Sequence, residues 1–162
     1  MKRRWVTWLV GAVIATTSHA DSEATMLHCV QSLTPETYED QHLPRLLECT
    51  ADVRTDCEST PDPLQCLTNQ HQAFNAPWDD LRGSLPDEVT GLQIDGYDYD
   101  AYLFSLDAGR KSFRNSCALV PIDFPDAKTP ELDEATCLLF FNAKYYLDLR
   151  KIAAIAAPLE TE

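Results

Sequence analysis

Six cysteines, Cys29, Cys49, Cys57, Cys66, Cys117 and Cys137, constrain this chain more than any other feature of its sequence. An even set of thiols with no C-x-x-C and no H-x-x-x-H spacing reads as a disulfide framework and not as a zinc site. Such a framework persists only in an oxidising compartment. Cys49 and Cys57, if placed on one helix, would stand about 12 Å apart along its axis, too far to bridge. Pairing between neighbours across turns is the expectation: Cys29 with Cys49, Cys57 with Cys66, and Cys117 with Cys137. The first two pairs are less constrained than the third.

The N-terminus agrees with that compartment. Lys2, Arg3 and Arg4 precede an apolar run from Trp5 to Thr17, and Ser18-His19-Ala20 offers the small residues that a signal peptidase requires. Residues 1–20 are therefore expected to be a signal peptide, with a mature chain starting at Asp21. The run falls short of the roughly 20 apolar residues that a comfortable span takes, so no membrane anchor is expected after cleavage. A lipid anchor is not indicated either, because Cys29 lies beyond the run and follows Met26-Leu27-His28. The expected location is periplasmic or secreted.

Removing the leader takes away three of the 13 basic residues and none of the 26 acidic ones, leaving a net charge of −16. A field of that sign repels nucleic acid and anionic membrane surfaces and steers cationic proteins inward. Solubility of an exported protein is the plainer use of the same charge.

The mature chain has a length suited to one domain, residues 21–162, and no Gly/Ser linker or repeat divides it. Only five glycines occur, and apolar residues recur at spacings of three and four. The expected fold is all-α, a compact disulfide-stapled bundle of four to five helices. The first helix is expected over Ser22 to Leu33. Thr34-Pro35 would open a second, which Pro44 bends or interrupts. Leu64, Leu67, His71, Phe74, Trp78, Leu81 and Leu85 draw one apolar stripe, with a kink or restart near Asn75 caused by Pro77. On that stripe His71 reads as a hydrogen-bonded core residue. A third main helix is expected over Asp98 to Ala118, burying Tyr102, Leu106, Gly109, Phe113 and Cys117. Thr129-Pro130 should start a last, central helix.

Residues 85–100, LPDEVTGLQIDGYDYD, carry no sustained helical stripe and read as the longest loop. Their acids do not follow the calcium-loop order and no Glu stands at its twelfth position. Acids beside two tyrosines suit a cationic protein surface, which makes Asp95, Tyr97, Asp98, Tyr99 and Asp100 partner-binding candidates. Arg110 and Lys111 are candidates of opposite sign. With Arg114 they also complement the dipole of the third helix, whose first turn holds Asp98 and Asp100. Gly109 on an inner face suggests that another backbone packs closely there.

No G-x-S-x-G, H-E-x-x-H or phosphate loop is present, and no histidine has a recognisable nucleophile beside it, so neither an enzyme nor a cofactor is expected. The stretches CLTNQHQAFNAPWDDLRGSL, SLDAGRKSFRNSC and ATCLLFFNAKYYLDLRKIA resemble, in order and spacing, the LprI-type lysozyme inhibitor family. The motif residues are Cys66, Asn75, Trp78, Gly109, Arg110, Phe113, Arg114, Cys117 and Cys137. Ser112 stands where that family commonly has an aromatic, and Asn142 and Tyr145 where it has a threonine and an arginine. The likeness spans about residues 66–152, leaving 21–65 as an N-terminal helical extension. It implies an exported helical protein able to inhibit lysozyme or a similar wall hydrolase, whose basic surface an acidic inhibitor would approach. Arg110 and Arg114 would then pair with acids on the next helix. An immunity protein against a secreted toxin, or a structural or assembly protein of the envelope, would share the same composition.

Overall fold

The computed structural model describes residues 25–33, 42–119 and 129–156. The expected leader (1–20), the start of the expected second helix (34–41) and the proline-rich turn after Cys117 lie outside the described residues. Among the described residues there are six helical segments: α1 (Thr25–Ser32), α2 (His42–Glu58), α3 (Pro63–Gln72), α4 (Asn75–Gly83), α5 (Tyr99–Cys117) and α6 (Pro130–Ala156). The pair α3 and α4 is one stripe broken at Phe74, as Pro77 requires, so the packing units number five. The fold is all-α, and three disulfides staple it.

Local chemistry explains most boundaries. Asp62 accepts a hydrogen bond from the backbone N–H of Gln65 at 3.0 Å, and Pro63 occupies the first turn of α3, where its missing N–H costs nothing. Pro44 likewise falls in the first turn of α2 and does not interrupt it. Asp100 sits in the first turn of α5 and Arg114 in its last, the order that favours the helix dipole.

The long helix α6 is the centre. Its buried residues include Leu139, Asn142, Ala143, Tyr146, Leu147, Asp148, Leu149 and Ile152, which lie around the whole circumference and not along one stripe. Each of the other described helices packs against it. Met26 and Val30 bring α1 onto this core, and Arg150 on α6 donates to the Val30 carbonyl at 2.6 Å, satisfying one of the last carbonyls of α1.

Cys29 joins Cys49, Cys57 joins Cys66, and Cys117 joins Cys137, with Cα separations of 6.4, 5.4 and 5.6 Å. The bridges thus tie α1 to α2, α2 to α3, and α5 to α6. The third closes a loop 20 residues long in sequence separation, worth on the order of 3 kcal/mol by the chain-entropy argument.

Three details differ from the sequence reading. Leu64 leaves the stripe and stands 42% exposed, because the helix containing it begins one residue earlier and turns its first residues to solvent. The buried side of α5 is Tyr99, Leu103, Leu106, Phe113 and Cys117, with Tyr102 and Gly109 only half-buried. At Gly109 the close neighbour is a side chain and not a backbone: an added Cβ would lie 2.7 Å from Tyr145 Oη.

Candidate functional site

The segment expected to be a loop contains a β-hairpin. β1 (Gln93–Ile94) pairs antiparallel with β2 (Tyr97–Asp98), with Ile94 opposite Tyr97. Asp95 and Gly96 form its turn at φ 53° and 83°, the pair of positive values that a two-residue hairpin needs. The Asp-Gly dipeptide between Ile94 and Tyr97 was the signal in the sequence. Ile94 is buried and plugs the hairpin into the core.

The hairpin is also tied electrostatically. Both carboxylate oxygens of Asp95 accept from Lys151 Nζ at 2.9 Å. Tyr102 lies half-buried beside this pair; burial, then the charges of Asp148 and Asp95, push its phenol up to about 12. It remains a neutral hydroxyl at physiological pH.

The candidates on this segment therefore separate. Tyr99 is a core residue, 1% exposed, whose hydroxyl donates to the Pro86 carbonyl at 2.8 Å, so it cannot meet a partner. Burial of the first residue of α5 is what removed it. Asp95 is engaged by Lys151. Tyr97, 64% exposed, with Asp98 and Asp100, faces solvent. Phe104, 74% exposed, lies one turn beyond Asp100 on the same face of α5 and was missed. Its position off the buried stripe of α5 was the available clue.

Arg110 and Lys111 belong elsewhere. Arg110 turns back toward α4, donating from Nη2 to Asn75 Oδ1 at 2.9 Å and stacking 4.5 Å from the centroid of the Trp78 ring. It does not pair with an acid on α6, the expectation for the next helix. Its Nε is buried without a hydrogen-bond partner among the described residues. Burial pulls this guanidinium below its ordinary range, against the opposing pull of Asp79 and Asp107. It stays cationic at any physiological pH.

Arg110, Lys111 and Arg114 line a cleft of about 330 Å³ whose other walls come from α3, α4 and α6. His71 and Asn142 form its buried floor, with Asn142 Nδ2 3.5 Å from His71 Nδ1. Desolvation, then the charge of Arg114, lowers the His71 pKa, which favours a neutral imidazole on the cleft floor. Asp107 is the acid on the cleft wall, and it is already held by Arg82 Nε at 3.1 Å. Asn142 is the one uncharged polar residue in the apolar run CLLFFNAKYY, a signal visible in the sequence. Among the described residues no three histidine, cysteine or carboxylate side chains converge as metal ligands.

No family model, no curated protein and no solved structure matches this chain. The three disulfides remain the informative feature: they mark a protein that folds in an oxidising compartment. Among the described residues, no helix is long and apolar enough to cross a membrane.

Proposed function

We propose that this protein is an exported binding protein that inhibits lysozyme or a similar cationic wall hydrolase. The observation that carries the reading is the solvent-facing surface made by Tyr97, Asp98, Asp100 and Phe104. Tyr97, on a hairpin held in place by Ile94 and by Lys151, stands 64% exposed, and Phe104, in the first half of α5, stands 74% exposed, with the carboxylates of Asp98 and Asp100 between them in the sequence. Aromatic side chains with few rotatable bonds provide contact area at low entropic cost, and the carboxylates steer a basic partner toward them. The charge of −16 after loss of the leader supplies the long-range part of that steering. The resemblance to LprI-type inhibitors across residues 66–152 supports the choice of hydrolase.

Turbidity of a bacterial wall suspension digested by a basic lysozyme tests the reading. Stoichiometric inhibition at physiological salt is expected. Tyr97→Ala with Phe104→Ser should weaken it roughly tenfold or more while leaving the melting temperature within a degree or so. Absence of inhibition, or inhibition equalled by an unrelated acidic protein, would sink it.

A further inference from the structure

The cleft between α3, α4, α5 and α6 holds the only basic side chains among the described residues that have neither a carboxylate nor a backbone carbonyl as partner. Elsewhere, Arg45, Arg54, Arg82, Lys144 and Lys151 each bind a carboxylate within 3.1 Å, and Arg150 holds the Val30 carbonyl. In a chain with 26 acidic residues, pairing is easily found. Arg110, Lys111 and Arg114 form no ion pair among the described residues, although all three line one cavity. The dipole of α5 accounts for the sign of these charges. It does not account for their gathering around a cavity.

We propose that this cleft is a binding site for a small organic oxyanion. Lys111 and Arg114 would supply the opposing charge, the Arg110 guanidinium would add to it from the cleft wall, and the amides of Gln72 and Asn142 would orient the rest of the molecule. The chemistry shared by possible ligands is a carboxylate or phosphate group, both of which match the planar donor fork of arginine. The volume of about 330 Å³ admits a compact ligand and not a polymer threaded through. Trp78 under Arg110 makes the wall rigid, so the donors are placed before the anion arrives. The proposal does not rest on the hydrolase reading, and the hairpin surface plays no part in it.

Trp5 and Trp8 are the other tryptophans of the chain. With both replaced by phenylalanine, Trp78 reports on the cleft alone, whether or not a leader is removed. Citrate, inorganic phosphate and a neutral diamide are titrated at constant ionic strength, read by calorimetry and by Trp78 fluorescence. Saturable one-to-one binding of citrate or phosphate in the millimolar range or tighter is expected, with none for the diamide. Citrate alone would assign the site to carboxylates, phosphate alone to phosphates, and both to the shared oxyanion chemistry. Arg114→Gln and Lys111→Gln should each weaken binding roughly tenfold, while Arg45→Gln, an exposed arginine on α2, should leave it unchanged. The proposal is overturned if neither anion binds, or if Arg45→Gln weakens binding as much as Arg114→Gln. Circular dichroism of each variant keeps loss of binding distinct from loss of fold.

Discussion

The two ends of α5 solve the problem of placing charge in opposite ways. Near Tyr99 the helix carries Asp98 and Asp100 in open water beside exposed Tyr97 and Phe104. Eleven residues on, about 16 Å along the axis, Arg110 and its basic neighbours line a cleft with a buried floor. Charges in open water are screened beyond roughly 8 Å at physiological salt and act mainly on encounter rate. Of the cleft bases Lys111 and Arg114 remain exposed, but Arg110 is half-buried, where charge is screened less and its buried, unpartnered Nε costs stability. The exposed end is thus free to vary in contacts without disturbing the fold, whereas the cleft end is bound up with the packing of four helices.

The sharpest way to break this contrast is to cut the bridge that pins the cleft. Replacing Cys117 and Cys137 together by alanine should cost on the order of 3 kcal/mol, which lowers the melting temperature by about 10 °C for a domain of this size. Hydrogen exchange should accelerate in the second half of α5 far more than in the hairpin. Equal acceleration in both would show that the two ends are not separately stabilised.

Gly109→Ala is expected to be smaller. Alanine improves helix propensity by up to about 1 kcal/mol, but its Cβ would meet the Tyr145 ring at 2.7 to 3.1 Å. Tyr145 also packs against Phe113 and Phe141 and cannot swing away without disturbing them. A net loss of about 1 kcal/mol in a denaturant melt is expected, most of it recovered when Tyr145 is also replaced by a smaller residue. A stabilised single mutant would mean that the aromatic cluster yields easily.

Acidity probes the cleft floor. The His71 pKa is lowered on folding from 6.5, chiefly by burial and then by Arg114. Below pH 6.5 the unfolded chain therefore binds a proton that the folded chain refuses, so His71 contributes stability above that pH that is lost as pH falls toward its folded value. Melting temperatures at pH 7.5 and 5.5 should differ more for the native protein than for His71→Gln. An identical pH slope in the two would contradict the buried neutral imidazole.

The smallest effect belongs to the exposed end. Asp95→Asn keeps a residue that tolerates the positive φ of the turn while removing the ion pair with Lys151. Because that carboxylate is 40% exposed, the cost should stay below about 1 kcal/mol and shrink further in salt. A larger loss would place the hairpin among the cooperative elements of the core.

Much of the frame could be read from residue order. Helical spacing marked α3 to α6, Pro77 marked the break before α4, and the neighbouring cysteines paired as their separations allowed. These features are local: a turn, a cap or a short closed loop depends on residues close in sequence. The hairpin was legible in Asp95-Gly96 but was hidden by the acids around it. Tyr99 illustrates the harder case, since its neighbours Tyr97 and Asp98 face water and only the folding of the 86–92 segment back onto it, bonded through the Pro86 and Leu92 carbonyls, shows that its ring lies inside.

The amino-acid sequence by itself determined the helical class, the bridges and the net charge, because each follows from periodicity, proximity along the chain or simple counting. Which charges meet was decided only by the tertiary structure. Lys151 reaches back to Asp95, Arg82 spans to Asp107, and Arg110 turns to Asn75 and Trp78 because the helices that carry them cross there. The physical reason is distance: electrostatic and packing energies depend on separation in space, and the central helix α6 brings together residues that the chain keeps far apart.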